Sequence, residues 1–432
     1  MVATKRTSSA SKPAAKKSAA PGGAHKSRQA VIRMYNVGFG DAFLVTVPNG
    51  QKQSRILFDC GSVEASKTGG AMTNIVKQII KDATDPDGIA RIDVVVATHR
   101  HKDHVSGFAN AAWEKVEVQE VWMPWTEHPT DADARRIREL QSRLALGLNA
   151  SLAAAPAATL PADLASRAVV AAVVDNANPL SNAPAMKTLH SGFAGSASRR
   201  FLPVKGADAR SLETSALPGV KVHVLGPSRD PDVIRDMDPP KGESYLRLRN
   251  AVAGLDGTAP VPFAPEFMLQ ESTGNWVFSP DERDEISKAG SLSELAVAVA
   301  LDQAVNGTSL MLLLEVAGTF LLFPGDAQWG TWKRVLDDDE WKDLLQRLSF
   351  YKIGHHGSHN ATPQTFVKTY LPVGCCAMAS TLTRKIWPDI PRLPLLTGLL
   401  EKQAVVARSD QPDGAVSPFE VLDGVIEARV NL

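Results

Sequence analysis

The chain has 432 residues, of which 44% are hydrophobic and 22% charged. These values are typical of a globular protein with a large core and exclude a fibrous or wholly disordered one. Three cysteines, an odd number with no CxxC spacing, argue against a disulfide framework and a cysteine-based zinc ribbon, and favour a reducing, cytoplasmic location. The net charge of zero is unevenly spread, because residues 1–30 carry seven Lys or Arg and no acid. The remainder has 40 basic and 47 acidic residues, so the body of the protein is acidic.

Residues 1–30 predict a disordered basic arm, because they are rich in Ser, Ala and Lys and contain Pro and a Gly pair. We interpret the arm as a solubilising tail, and contact with nucleic-acid phosphates is the alternative. No apolar segment follows the positive charges, so no secretory signal is predicted. The longest uncharged run, 144–162, is rich in Ala and broken by two prolines, which argues against a membrane span.

The first predicted elements are three short strands joined by turns, which form an antiparallel meander. A helix and a β-branched strand that is buried on both faces follow them. The predicted ranges are 31–37, 42–47 and 55–58 for the meander, 72–80 for the helix and 92–97 for the buried strand.

The buried strand is followed directly by His99, His101, Asp103 and His104, with the spacing H-x-H-x-D-H. In extended backbone His99 and His101 point to the same face, and a helix that starts near Asp103 turns His104 to a neighbouring direction. Imidazole and carboxylate together suit Zn²⁺ or a similar metal. The alternative, a solvated loop that happens to be rich in His, rarely produces so tight a cluster.

Two further polar clusters follow predicted strands in the distal third of the chain. Strands at 309–316 and 319–323 lead to Asp326, an amphipathic helix is predicted over 329–348, and a strand at 348–353 leads to a histidine-rich turn. The histidines of that turn are His355, His356 and His359. Because α/β enzymes assemble their sites from the ends of several strands, we expect these residues to join those at 99–104 in one metal site.

Six motifs in this order resemble the metallo-β-lactamase fold superfamily, in its branch similar to the DNA-uptake nuclease domain of bacterial competence channel proteins. The motifs are V-G-F-G-D-A at 37–42, L-F-D-C-G at 57–61, H-R-H-K-D-H at 99–104, N-G-T-S-L at 306–310, F-P-G-D-A at 323–327 and K-I-G-H-H-G-S at 352–358. The resemblance spans about residues 31–125 and 300–432. It implies an α/β fold, a four-layer αβ/βα sandwich with a largely helical insertion.

The resemblance also implies two divalent metals, Zn or Mn, between the two sheets. The implied roles are His99 and His101 on the first metal, Asp103 and His104 on the second, Asp326 bridging both, His355 or His356 completing the second site, and Asp41 and Asp59 behind the ligands. The histidine that the family usually has between His104 and Asp326 has no match, because His128, His190 and His223 lack its context. Whether one or two metals bind therefore stays open.

We expect a metal-dependent hydrolase, a phosphodiesterase or nuclease that uses a metal-activated hydroxide, with DNA as a candidate substrate. Asp103 would make the nucleophilic water available. His356 or His359, whichever is not a ligand, would protonate the leaving oxygen. Two alternatives stay open: a hydrolase of a small ester, lactone or thioester, and a metal-stabilised interaction module without turnover. No membrane partner is expected, and the oligomeric state is left open.

Residues 31–432 are predicted to form one domain, in which 126–300 contains a long insertion. Helices are expected at 132–155, 163–175 and 291–305, over the mouth of the site, with peripheral packing as the alternative. Trp122, Trp125 and Phe193 are interpreted as core residues, with a substrate groove as the alternative. A helix and a strand over 394–409 and a final strand after Gly414 complete the expected fold.

Overall fold

The structure is a computed structural model, which describes residues 28–50, 52–66, 69–154, 170–177, 179–206, 210–240, 242–244, 294–385 and 387–432. The predicted arm thus lies outside the described residues except for 28–30, and the first strand already begins at Gln29. The first part of the helix predicted over 163–175 also lies outside them, as does the start of the helix predicted over 291–305.

The chain folds into two mixed β-sheets. The strands are β1 (Gln29–Tyr35), β2 (Phe43–Asn49), β3 (Lys52–Phe58), β4 (Arg91–Val96), β5 (Glu117–Pro124), β6 (Ser198–Leu202), β7 (Ser211–Leu212), β8 (Val220–Gly226), β9 (Met311–Val316), β10 (Thr319–Phe323), β11 (Leu348–Lys352), β12 (Cys376–Ala379), β13 (Val405–Arg408), β14 (Phe419–Leu422) and β15 (Val425–Asn431). The first sheet has the order β14-β15-β1-β2-β3-β4-β5-β6, and the second has the order β13-β12-β11-β10-β9-β8-β7. β3 to β6 are parallel to one another, as are β10 to β13, so each sheet has a parallel half.

The helices lie between these strands in the chain. They are α1 (Met72–Asp82), α2 (Lys102–Val105), α3 (Ala132–Ala154), α4 (Pro179–Ser191), α5 (Pro231–Arg235), α6 (Glu294–Asn306), α7 (Trp329–Leu336), α8 (Asp339–Leu345) and α9 (Leu393–Glu401), and residues 170–177 are also helical. Among the described residues, no helix has the length and apolar character needed to cross a membrane.

The two sheets pack face to face around a shared apolar core. Phe58 of the first sheet stacks on Phe323 of the second, with ring centroids 4.1 Å apart. The outer face of the first sheet packs against α1, whose Ile75 and Val76 are buried, and the outer face of the second packs against α7 and α8. Apolar side chains are thus buried on both faces of each sheet, and each Å² of buried apolar surface stabilises the fold by about 25 cal/mol. This packing holds the strand ends at fixed positions.

Several predicted elements are confirmed. The antiparallel meander is β1 to β3, the first helix is α1, and the buried strand is β4. The single helix predicted over 329–348 is wrong, because the structure divides it into α7 and α8. The carboxylate of Asp338 accepts a hydrogen bond of 3.2 Å from the backbone N–H of Trp341, and an aspartate in this capping position begins a new helix.

The segment 126–300 has helices at both ends and strands in the middle. The helix predicted at 132–155 is confirmed as α3, and α6 corresponds to the one predicted at 291–305. β6 extends the first sheet, and β7 and β8 extend the second, so this part of the segment belongs to the sheets. Trp122, Trp125 and Phe193 are at most 7% exposed, which places them in the core as interpreted.

Candidate metal centre

The site lies where strands of both sheets end. β4 of the first sheet leads to the motif at 99–104, β10 of the second leads to Asp326, and its parallel neighbour β11 leads to His355 and His356. All of the predicted ligands except His355 are at most 2% exposed, and the side chain of His355 is 17% exposed. The structure thus brings together residues that are more than 200 positions apart in the chain.

The first part of the cluster comes from the H-x-H-x-D-H motif alone. The Nε2 atom of His99 lies 3.0 Å from the Nδ1 atom of His101. Ligand atoms of His99, Asp103 and His104 all lie within 4.8 Å of one another, because α2 begins at Lys102 and turns the last two residues back toward the strand end. This is the turn that the spacing predicted.

The second part joins the motif to the distal residues. The Nε2 atom of His104 lies 3.1 Å from Asp326 Oδ2, and the Nε2 atom of His356 lies 3.1 Å from Asp103 Oδ2. His355 donates its backbone N–H to Asp326 Oδ1 at 3.2 Å, and its Nε2 atom lies 3.8 Å from Asp326 Oδ2. Asp326 therefore lies between His104 and His355.

The backbone at the histidine turn is in the left-handed region. His355 has a φ of 46° and His356 a φ of 54°. For a residue with a Cβ this conformation costs about 1–2 kcal/mol, and it persists where the surroundings enforce it. Here the turn directs both imidazoles toward the acids of the cluster.

Hydrogen bonds behind the cluster fix the orientation of its rings. Asp59 accepts from the N–H and the hydroxyl of Thr98, at 2.7 Å each, and lies 2.9 Å from the Nδ1 atom of His104. The Nδ1 atom of His356 donates to the carbonyl of Ser380 at 2.9 Å. In both histidines the Nε2 atom is therefore the one that faces the cluster, a common arrangement behind metal ligands.

The close approach of the Asp59 turn to the motif requires a glycine. A Cβ on Gly61 would lie 2.5 Å from the carbonyl carbon of His104, closer than side-chain carbons come to such atoms. The motif L-F-D-C-G therefore places Asp59 behind His104 and has Gly61, which lacks a Cβ, where the two segments come close.

Lys352 is a buried cation of the site that the sequence reasoning did not single out. It forms an ion pair with Asp41, and its Nζ atom lies 3.7 Å from Asp326 Oδ1. Burial opposes its charge, but Asp41 and Asp326 outweigh burial and raise the pKa of Lys352. The sequence signal that could have identified Lys352 is its position as a charged residue at the end of the largely apolar strand β11.

The charges in the cluster divide its histidines into two kinds. Burial lowers the pKa of His99 well below its usual value and that of His101 to about 4. Burial also opposes the charge of His104, but Asp326, Asp103 and Asp59 outweigh it and raise its pKa well above the usual value. His104 is therefore a cation among carboxylates, and a metal that binds there would displace its proton.

The two central acids are kept ionised by the histidines. Burial alone would raise the pKa of Asp103, but His104 and His356 outweigh it and lower the pKa. For Asp326, His104 and His355 likewise outweigh burial.

The residues present fit a divalent metal. Among the described residues, His101 Nε2 and Asp103 Oδ1 are buried without a hydrogen-bond partner, as expected of atoms arranged for a ligand. Four carboxylates of the cluster, those of Asp41, Asp59, Asp103 and Asp326, are at most 2% exposed, and Lys352 pairs with Asp41 and Asp326. Imidazole nitrogens and carboxylate oxygens are the donors that Zn²⁺ and Mn²⁺ share, so the cluster could hold such an ion.

Asp302 of α6 is a further residue that the sequence analysis missed. Its Oδ1 atom lies 3.8 Å from His101 Nε2, and its Oδ2 atom accepts from the amide of Asn306 at 3.1 Å. Burial, together with Asp103 and Asp326, raises the pKa of Asp302 to about 7. The residue lies in the middle of a helix without a motif around it, so only the packing of α6 over the site reveals it.

The other histidines lie outside the cluster. His223 lies 2.9 Å from Glu315 on the neighbouring strand, and His128 and His190 pack against Phe201. The ligand that had no match in the sequence is therefore not supplied by any of these three.

His359 does not reach the acids through any contact among the described residues. Its Nδ1 atom lies 3.5 Å from Ser358 Oγ. Burial, Arg392 and His355 lower its pKa to about 4, so the imidazole is neutral at neutral pH. These observations do not favour His359 as the proton donor.

Comparison with known proteins adds no identification. No protein-family description matches the sequence, and no curated protein matches it. The relation to the metallo-β-lactamase superfamily therefore stays a resemblance carried by the motifs.

Proposed function

We propose that the protein is a metal-dependent hydrolase of phosphodiesters, a nuclease, built on the four-layer metallo-β-lactamase fold. The observation that carries the proposal is the convergence of His99, His101, Asp103 and His104 from one sheet with Asp326, His355 and His356 from the other. Burial of several charged groups raises the free energy of the folded state unless a ligand compensates their charge.

The arrangement of layers supports the proposed fold. Two mixed sheets pack face to face, helices cover their outer faces, and the cluster lies at one edge between the sheets. This is the placement that the resemblance implies for a dinuclear site.

Among the described residues, three groups of ligand atoms share His104. Its partners are His99 and Asp103 in one group, Asp326 and His356 in another, and Asp41 and Asp59 in the third. A divalent metal bound at such a site lowers the pKa of water toward neutrality and offsets negative charge that develops on phosphoryl oxygens. Asp59 and Ser380 keep the rings of His104 and His356 in place, so the cluster needs little rearrangement during the reaction.

His356 is better placed to hold a cation than to deliver a proton. It is fully buried, and both of its ring nitrogens are engaged, one with Ser380 and one with Asp103. We therefore assign His356 to the ligand set, and His355, which is partly exposed beside Asp326, is the histidine closer to solvent.

We also infer a cytoplasmic location from the cysteines. Cys60, Cys375 and Cys376 are all free. A protein that works in a reducing compartment has no need of disulfides.

A substrate panel tests the proposed function. Purified protein, loaded with Mn²⁺ or Zn²⁺ or treated with a chelator, is given bis-p-nitrophenyl phosphate, single-stranded DNA, duplex DNA, RNA and a lactone. We expect metal-dependent hydrolysis of the phosphodiesters. Turnover of the lactone alone would assign an acyl substrate, and metal binding without turnover of any substrate would indicate an interaction module.

A further inference from the structure

A second feature of the molecule is an open surface cavity of about 500 Å³ lined by arginines. Its walls include Arg100 from the motif and Arg135, Arg138 and Arg143 from α3. The acidic residue in the lining is Glu139.

The α3 arginines share a face because of their spacing. Arg138 is three positions and Arg143 eight positions after Arg135, and with 3.6 residues per turn all three lie on one broad side of the helix, which lines the cavity. Another side of α3 packs against α6: Gln141 donates to the carbonyl of Ala304 at 3.3 Å, and Leu148 is buried in a cluster with Leu301. This packing fixes which side of α3 is turned to the cavity.

Within the part of the chain that the structure describes, three of the four arginines of the cavity form no ion pair, although Glu139 lies in the same lining. Arg100 forms a two-pronged ion pair with Glu127, with distances of 2.9 and 2.8 Å. Arg138 donates to the backbone carbonyls of Thr126 and His128, which are neutral. Among the described residues, Arg135, Arg138 and Arg143 take part in no ion pair.

The arginines lie close enough to affect one another. Burial lowers the pKa of Arg138, the carboxylate of Glu127 opposes this, and Arg100 and Arg135 lower the pKa further. Outside residues 1–30 the chain has more acidic than basic residues, so this concentration of arginine is not a consequence of a basic composition. Like charges held together raise the free energy of the folded state, and a bound anion would relieve that repulsion.

The cavity and the metal centre share a stretch of chain. Arg100, which lines the cavity, stands between His99 and His101, and α6, which supports α3, carries Asp302 at 3.8 Å from His101. The motif of the metal centre therefore also contributes a residue to the cavity.

We propose that this cavity binds a phosphate of a nucleic-acid strand whose scissile phosphodiester lies at the metal centre. The proposal rests on the proposed function, because it assigns a second contact to the same substrate. Guanidinium groups match phosphate oxygens with paired hydrogen bonds, and several arginines around one cavity suit a phosphate better than a neutral ester or a lactone.

The test separates binding from chemistry. Affinity for a fluorescent single-stranded phosphorothioate oligonucleotide, which resists hydrolysis, is measured by anisotropy over a range of salt concentrations with metal-loaded protein. The double variant Arg135→Gln with Arg143→Gln should bind about tenfold more weakly. Its slope of log affinity against log salt should fall by about 1.4, because each phosphate contact on a single strand contributes about 0.7. Hydrolysis of bis-p-nitrophenyl phosphate, which is too small to span both places, should be unchanged.

Arg136→Gln is the matched control, because Arg136 is an exposed neighbour on α3 that does not line the cavity. It should weaken binding less than about twofold, since the charge that it removes is screened by solvent and lies outside the cavity. The double variant Arg135→Lys with Arg143→Lys keeps the charge and should retain most of the salt slope. Equal binding by the Gln double variant and the Arg136→Gln control would overturn the proposal, as would a wild-type protein that does not bind the oligonucleotide. Failure of the wild-type protein to hydrolyse any phosphodiester would instead contradict the proposed function.

Discussion

The metal centre and the arginine cavity share a stretch of chain but are built in opposite ways. The centre is made of side chains at strand ends, at most 2% exposed except for His355, and held by hydrogen bonds from Asp59, Thr98 and Ser380. The cavity is made largely of long side chains on one helix, of which Arg135 and Arg143 are exposed. Buried groups on two packed sheets keep their positions, whereas exposed arginines adjust to a ligand. We therefore expect mutations at the first to affect metal binding and turnover, and mutations at the second to affect binding of the substrate.

The largest expected effect is that of Asp326→Ala. The carboxylate contacts both parts of the cluster, through His104 and through His355, so its loss should deplete the protein of metal and reduce turnover at least about a thousandfold. Metal per chain is measured by elemental analysis, and folding is checked by circular dichroism. The isosteric variant Asp326→Asn is measured in the same way, so that loss of the charge can be told apart from a folding defect caused by Ala.

A second variant defines the parts of the centre. His99→Ala with His101→Ala should mainly empty the first of the two proposed metal sites and leave more metal bound than Asp326→Ala does. Full metal content in Asp326→Ala would refute the assignment of a bridging role.

Asp103→Asn should separate chemistry from binding most clearly. The substitution preserves the shape of the side chain but removes the charge that faces His356, so turnover should fall at least about a hundredfold. Affinity for the oligonucleotide should change little, because the arginine cavity is intact. Single-turnover hydrolysis and equilibrium binding are measured at saturating metal.

The exposed Asp339→Asn is the control for Asp103→Asn, because Asp339 lies on α8 with its side chain 95% exposed. Asp103→Asn and the arginine double variant should show opposite patterns, one losing turnover and the other losing affinity. Wild-type hydrolysis of phosphodiesters by Asp103→Asn would mean that the activity belongs to another site.

Asp302→Asn should lower metal affinity, an effect smaller than that of Asp103→Asn on turnover. Its carboxylate lies 3.8 Å from the Nε2 atom of His101, the nitrogen without a hydrogen-bond partner, so it would add an oxygen donor and a negative charge beside a metal held there. We expect affinity for Mn²⁺ or Zn²⁺ to fall about tenfold, measured by competition with a chelating dye. The Asp339→Asn control should bind metal like the wild type, and equal affinity in Asp302→Asn would limit this residue to packing of α6.

The difference between the two regions also explains what could be predicted from the sequence. The strands and the H-x-H-x-D-H turn were predictable, because periodicity of two and a dense His/Asp cluster are local signals. Asp302, Lys352 and the α3 arginines were missed, because their meaning depends on which helix packs over which strand end. The break between α7 and α8 was missed for a different reason: the apolar spacing continues across it, and the cap at Asp338 was not weighed against it.

The smallest effect is expected from removal of the basic arm, and it tests whether the acidic body needs the arm to bind its substrate. Deletion of residues 1–27 keeps Arg28, whose carbonyl accepts from the backbone N–H of Leu432 at 2.8 Å, and all of β1. The deleted segment has almost no large apolar residue to bury, so the melting temperature should change by no more than about 1 °C. If the arm is a solubilising tail and the arginine cavity supplies the phosphate contact, affinity for the oligonucleotide should stay within about twofold.

The salt dependence of the same deletion decides between the two interpretations of the arm. The segment carries six Lys or Arg, so full contact with a single strand would add up to about 4 to the slope of log affinity against log salt. A fall of that size after deletion, with the reporter still hydrolysed at the wild-type rate, would assign phosphate binding to the arm. An unchanged slope, together with a reduced slope in the Arg135→Gln and Arg143→Gln double variant, would place the contact on α3, because only there does loss of charge weaken binding.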